Sequence, residues 1–307
     1  MAQQTVNGYV ISVDIRKKKT LLVEGNSDRR ILRRLAANCP GCKPENFVID
    51  TAQTLKAPEE LDEIGNRGKV LHTFEKLKQS EKFAVLVDRE WDGLIADDGS
   101  WLKFKKPDDT ERKYFTLGHS IENYGFQEPH FVQIVLSRCY DGLSQDSLSL
   151  VQKCFEKSLV MALAASKVIA EERLITRASS VFTYNDFAWT VEGDVALRID
   201  GDIATRLLQR GVKDPSALLT KINTTYAKVP KASNSFPIPL YIHGHIGCEV
   251  IRCVIASKLA DMGVTIPVVN QFAHEGAEAR EASFREYLAG LSEIPSSLQR
   301  ALDFISN

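Results

Sequence analysis

The chain has 307 residues, 44% of them hydrophobic and 26% charged, with a formal net charge of −1. That composition belongs to a globular protein long enough for two cored domains, and it excludes a polycation or a disordered tail protein. No apolar run approaches the roughly 20 residues of a membrane span, and the start "MAQQTVNGYV" lacks the basic-then-apolar order of an export signal, so a cytoplasmic protein with no membrane association is expected.

In chain order, "GYVISVDI" alternates apolar and polar residues and is read as a half-buried strand. "TLLVEG" is a short continuous apolar run of the kind buried on both faces of a parallel sheet. Gly25 turns the chain into a helix over "SDRRILRRLAAN", with Asn26 or Ser27 as caps. "NFVIDT" is a second buried strand, and "NRGKVLHTFEKLKQ" has helical spacing through Val70, Leu71, Phe74 and Leu77. "KFAVLVDREWDG" is a third strand that ends in acids, and "KYFTLG" is a fourth, leading into "HSIENYGF". Strands alternating with helices predict an α/β domain with a mostly parallel sheet flanked by helices.

Beyond about residue 126 the texture turns helical, through "PHFVQIVLSRCY", "SLSLVQKCFEKSLVMALAASKVIAEERL", "GDIATRLLQRG", "GCEVIRCVIASKLADMG" and "SFREYLAGL". "KVPKASNSFPIPLYIHGH" reads as a long loop. The expected division is a catalytic α/β domain over 1–140 and a largely helical domain over 141–307 for partner, dimer or substrate contacts.

Three acidic positions follow strands: Glu24; the group Asp88, Glu90 and Asp92; and Glu122. Ligands of open α/β sheets collect at the carboxyl ends of the strands, so these acids are expected to converge on one edge. Crowded carboxylates need cations between them. Mg²⁺, with Mn²⁺ as a substitute, suits such oxygen ligands and leaves positions for water and phosphate. Metal ions held so can activate a water against a phosphodiester. Taken singly, each acid is also a loop residue or helix cap, and Asp28 also fits as the negative charge that a helix N-terminus favours. No Gly-rich run ends in Gly-Lys-Ser/Thr, so a P-loop is excluded. A haloacid-type phosphatase fits poorly, because Asp92 stands where that pattern has Thr or Val.

Basic residues that could bind nucleic acid cluster in the first third: Arg29, Arg30 and Arg33 in the first helix, and Lys103, Lys105 and Lys106 after the acidic loop. The plainer reading of such runs is a solvated face. His119 neighbours Glu122 and is a candidate for proton transfer, or for a buried or capping role. His243, in "HGH" with His245, is a helix cap or a contact to phosphate. Trp91 and Trp101 flank the acidic loop as stacking candidates or core. The six cysteines have no disulfide-framework spacing and are expected as thiols, with Cys39 and Cys42 of "CPGC" forming a structural turn.

"LLVEGNSD" and "VLVDREWDG" resemble the two signature elements of the TOPRIM domain of topoisomerases, primases and OLD-type nucleases: a strand-end Glu followed by Gly, then Asp-x-Asp. Glu90 stands where the second Asp is usual, leaving the choice of ligand between Glu90 and Asp92 open. The resemblance covers about residues 20–125. "SIENY" and "YIHGH" are similar to a narrower group, the TOPRIM effectors of PARIS-type phage-defence systems. The resemblance implies a Mg²⁺-dependent endonuclease with Glu24, Asp88 and Glu90 catalytic and Asp92 and Glu122 among the metal ligands. It also implies restraint by an ABC-type ATPase partner, dimerisation when active, and cleavage of host nucleic acid, with tRNA favoured over DNA. A scaffold that docks on the ATPase without catalysis is the other reading.

Overall fold

A computed structural model of the protein describes residues 4–57, 65–96, 99–108, 110–139 and 145–306. Its sheet-bearing part contains β1 (Gln4–Thr5), α1 (Val6–Ile15), β2 (Lys19–Val23), α2 (Asn26–Asn38), β3 (Phe47–Thr51), β4 (Leu55–Lys56), α3 (Asn66–Leu77), β5 (Phe83–Val87) and β6 (Lys113–Phe115). Then follow α4 (Glu128–Cys139), α5 (Gln145–Glu171), α6 (Ile175–Ala178), β7 (Phe187–Trp189), β8 (Val195–Leu197), α7 (Asp202–Gln209) and α8 (Pro215–Tyr226). The last are α9 (Gly244–Asp261), α10 (Ile266–Ala273), α11 (Ala277–Ala289) and α12 (Ser296–Ser306).

The chain forms two compact units, Met1–Glu90 with Lys106–Ile121 and Phe284–Asn307, and Trp91–Lys105 with Glu122–Ser283. The expected boundary at residue 140 lies outside the described residues. The division instead falls at residues 90, 105, 121 and 283, so the last stretch of chain returns to the sheet unit.

In the first unit four parallel strands run in the order β3-β2-β5-β6. Leu21, Leu22, Val23 and all of Phe83–Val87 are buried, as a strand covered on both faces requires. Leu22, Phe83, Val85 and Val87 share a core with Tyr9 and Val13 of α1 and Val70, Phe74 and Leu77 of α3. Alternation leaves Leu21, Val23, Ala84 and Leu86 to the other face. There α2 packs on β3 and α12 packs on β2, β5 and β6.

The segment read as a strand over "GYVISVDI" is helix α1, a correction with a local cause. Its apolar residues satisfy both periods, but the buried ones, Val6, Tyr9 and Val13, lie on one helical face. Thr5 caps the helix, its hydroxyl accepting from Gly8 N at 3.1 Å.

The second unit is largely helical, with α5 and α9 packed together at its core and α8 and α10 beside them. A short antiparallel hairpin, β7–β8, lies within it and was not expected from the sequence. Gly247 allows the close approach at the start of α9, because a Cβ there would sit 2.1 Å from Ile242 Cγ2. Glu249 of α9 is buried and ties down the 180–182 segment, accepting from Ser180 N and Phe182 N at 2.7 Å each.

Candidate active site

From β2 the chain passes through α2 to β3 on one side, then through α3 to β5 on the other. The order therefore reverses between β2 and β5, and ligands of open α/β sheets bind outside the carboxyl ends of the strands at such a reversal. Glu24 and Asp88 are the first residues after these two strands.

The two are joined directly. Asp88 N donates to Glu24 Oε1 at 3.0 Å, and Asp88 Oδ1 accepts from Ile121 N at 3.1 Å. The loop after β5 is also stitched to the loop after β6. Arg89 N donates to Thr116 Oγ1 at 2.9 Å, and that hydroxyl donates to Gly118 O at 2.9 Å. The Arg89 side chain is buried, with Nη1 donating to Leu117 O at 3.1 Å. Glu90 N donates to His119 O at 2.7 Å. Glu90 itself is exposed, with its backbone in the left-handed region at φ 55°. Such a conformation disfavours any residue with a Cβ and tends to persist where surroundings over-determine it.

Helix α2 starts beside Glu24. Asp28, expected as a first-turn negative charge, also closes the helix start: its Oδ2 accepts from Gly25 N at 2.8 Å, and Gly25 is the N-cap in place of the expected Asn26 or Ser27. Arg30 and Arg33 are exposed and Arg29 is half-buried. Arg34 is engaged with Glu286 at 2.8 Å.

Sequence reasoning missed Arg67, the second residue of α3. Its Nε donates to Asp88 O at 3.1 Å, and its Nη1 lies 3.9 Å from Glu90 Oε2. A signal was present: the helix dipole disfavours a cation in the first turn, so an Arg placed there calls for a partner.

Among the described residues no three His, Cys, Asp or Glu side chains are grouped to hold a metal ion. Glu24 and Asp88 accept from backbone amides, and Glu90 faces Arg67. Asp92 and Glu122 belong to the second unit, as do the exposed Lys103 and Lys105, while Lys106 belongs to the first. A pair of carboxylates still fits Mg²⁺, which is commonly held by one or two carboxylates with water and substrate phosphate completing its shell.

Of the remaining candidates, His119 is buried. His243 caps α9, its Nδ1 accepting from Ile246 N at 3.5 Å while its own N–H donates to Ser166 Oγ at 3.2 Å. Burial, with the His245 charge adding to it and Glu122 opposing, lowers the His243 imidazole to about 4 and keeps it a neutral acceptor. Trp101 packs edge-on against Phe236 and Tyr241. The "CPGC" turn closes through Cys42 N donating to Cys39 O at 3.0 Å. Burial, with Cys39 beside it, pushes the Cys42 thiol up to about 12, far from a reactive thiolate.

No protein-family model matches the chain, and no curated protein matches it in sequence. No helix among the described residues is long and apolar enough to cross a membrane.

Proposed function

We propose that the protein is a Mg²⁺-dependent TOPRIM-type endonuclease that hydrolyses phosphodiesters of host nucleic acid. The observation that carries this reading is the junction of Glu24 with Asp88 at the sheet's reversal point. Two strand-end acids that are 64 residues apart in sequence meet where such folds bind their ligands.

Glu24 and Asp88 would hold the ion, with Glu90 as a third ligand. A bound Mg²⁺ would supply charge stabilisation at a phosphoryl oxygen and a more acidic water. Glu24 would orient or deprotonate a water, and the exposed Arg30 and Arg33 on α2 would offer positive charge to the backbone of a nucleic acid. The amides that open α2 favour an anion at the same edge. The TOPRIM resemblance supports tRNA as the first substrate to test, DNA as the second, and an ABC-type ATPase as the restraining partner of an active dimer in anti-phage defence.

A second reading, a non-catalytic scaffold that docks on the ATPase, is favoured by one finding: the Glu24 and Asp88 carboxylates accept from backbone amides, as architectural acids do. Glu24→Gln and Asp88→Asn separate the two. Losing even an outer partner of a metal site costs about 10–100-fold, so a nuclease should lose tRNA cleavage by at least about 100-fold in either variant. Cleavage and toxicity equal to the parent's would leave the scaffold.

A further inference from the structure

We infer that Arg67 is a positioning residue that serves as the resident counter-cation of Glu90 and yields that carboxylate to an incoming divalent ion. The inference rests on the metal-dependent reading above. A single guanidinium meets two points of the loop after β5, its Nε donating to the Asp88 carbonyl at 3.1 Å and its Nη1 lying 3.9 Å from Glu90 Oε2. The side chains are 23% and 49% exposed, respectively. An ion pair that open is weak and exchangeable, whereas the shorter bond to the Asp88 carbonyl keeps the guanidinium in place. Arg67 thus neutralises Glu90 while no metal is bound and competes with a metal for it.

The loop does not depend on Arg67 for its shape. Asp88 N, Arg89 N, Glu90 N and the Asp88 carboxylate are each bonded elsewhere, to Glu24, Thr116, His119 and Ile121. Removing the guanidinium therefore removes its competition and its repulsion of a second cation, and leaves the carboxylates where they are. A lysine keeps the charge but presents it as a single point on a flexible stem, unable to hold the carbonyl and face the acid together.

Calorimetric titration of the full chain with Mg²⁺ at fixed pH and ionic strength tests this. Arg67→Gln is expected to bind Mg²⁺ at least threefold more tightly than the parent, with Arg67→Lys in between. In a Glu90→Gln background the same Arg67→Gln change is expected to have no effect, because the acid it acts through has lost its charge. Equal or weaker binding by Arg67→Gln overturns the assignment, and so does a tightening that survives in the Glu90→Gln background. Should Arg67→Gln fail to fold, Arg67→Lys alone decides, by binding more tightly than the parent or not. If the parent takes up no Mg²⁺, or if Glu24→Gln binds it equally well, the metal site itself is refuted and the role of Arg67 falls with it. Failure confined to the Arg67 variants leaves the metal site standing.

Discussion

At the scale of single residues, the role proposed for Glu90 and the stability of its loop pull in opposite directions. A residue with a side chain held at φ 55° carries strain that glycine would not. Glu90→Gly should therefore raise stability by about 0.5–1 kcal/mol, outweighing the loss of an exposed pair with Arg67. It should also weaken Mg²⁺ binding and cleavage. Denaturant unfolding and a cleavage assay on the same preparation check both halves, and a destabilised variant would mean that the left-handed turn has no strain to release. Glu24 and Asp88 were legible as strand-end acids because each follows a short continuous apolar run. Arg67 was legible only as a first-turn cation in need of a partner; which partner was not, since Asp88 and Glu90 lie more than twenty residues further on.

Among the elements, strands β2, β3 and β5 were legible from apolar runs, and α2 from the turn at Gly25; its N-cap is Gly25 itself, whereas the expected caps Asn26 and Ser27 lie inside the helix, whose first turn is closed by Asp28. Helix α1 was misread because Tyr9, Val10, Ile11, Val13 and Ile15 fit both a strand and a helix. The strands of the β7–β8 hairpin are three residues each, too short to display a period. Helix α9 carries a prediction of its own. His243 at its start and His130 in α4 are both lowered to about 4, chiefly by burial. An unfolded histidine takes up its proton near 6.5, so falling pH favours the unfolded chain. The stability these two contribute is complete above about pH 6.5 and is lost as pH falls toward 4, by up to about 3 kcal/mol each. His243→Asn keeps a cap acceptor without titrating. Its melting temperature should fall less than the parent's between pH 7 and 4.5, and parallel curves would refute the linkage.

For the whole molecule, the return of the chain end to the sheet could not be foreseen from sequence. Helix α12 packs on β2, β5 and β6 through the buried Leu298, Leu302 and Ile305, and nothing near those residues names strands more than 180 positions earlier as their target. Each such side chain is worth about 1.5–3 kcal/mol when buried. Together they approach the roughly 5–15 kcal/mol by which a whole domain is stable. A chain ending at Gly290 should therefore lose the sheet while keeping the helical unit around α5 and α9. Amide exchange reads this directly: Leu21, Leu22 and Val85 should lose protection and Val250 to Val254 should keep it. Protection retained in both places would show α12 to be dispensable.

The placement of α12 also bears on the order in which the sheet is completed. Strands produced early in translation cannot complete their packing until residues 296–306 have been synthesised and have left the ribosome. The edge that carries Glu24 and Asp88 would then be assembled only after that helix has emerged, long after the residues on it were made.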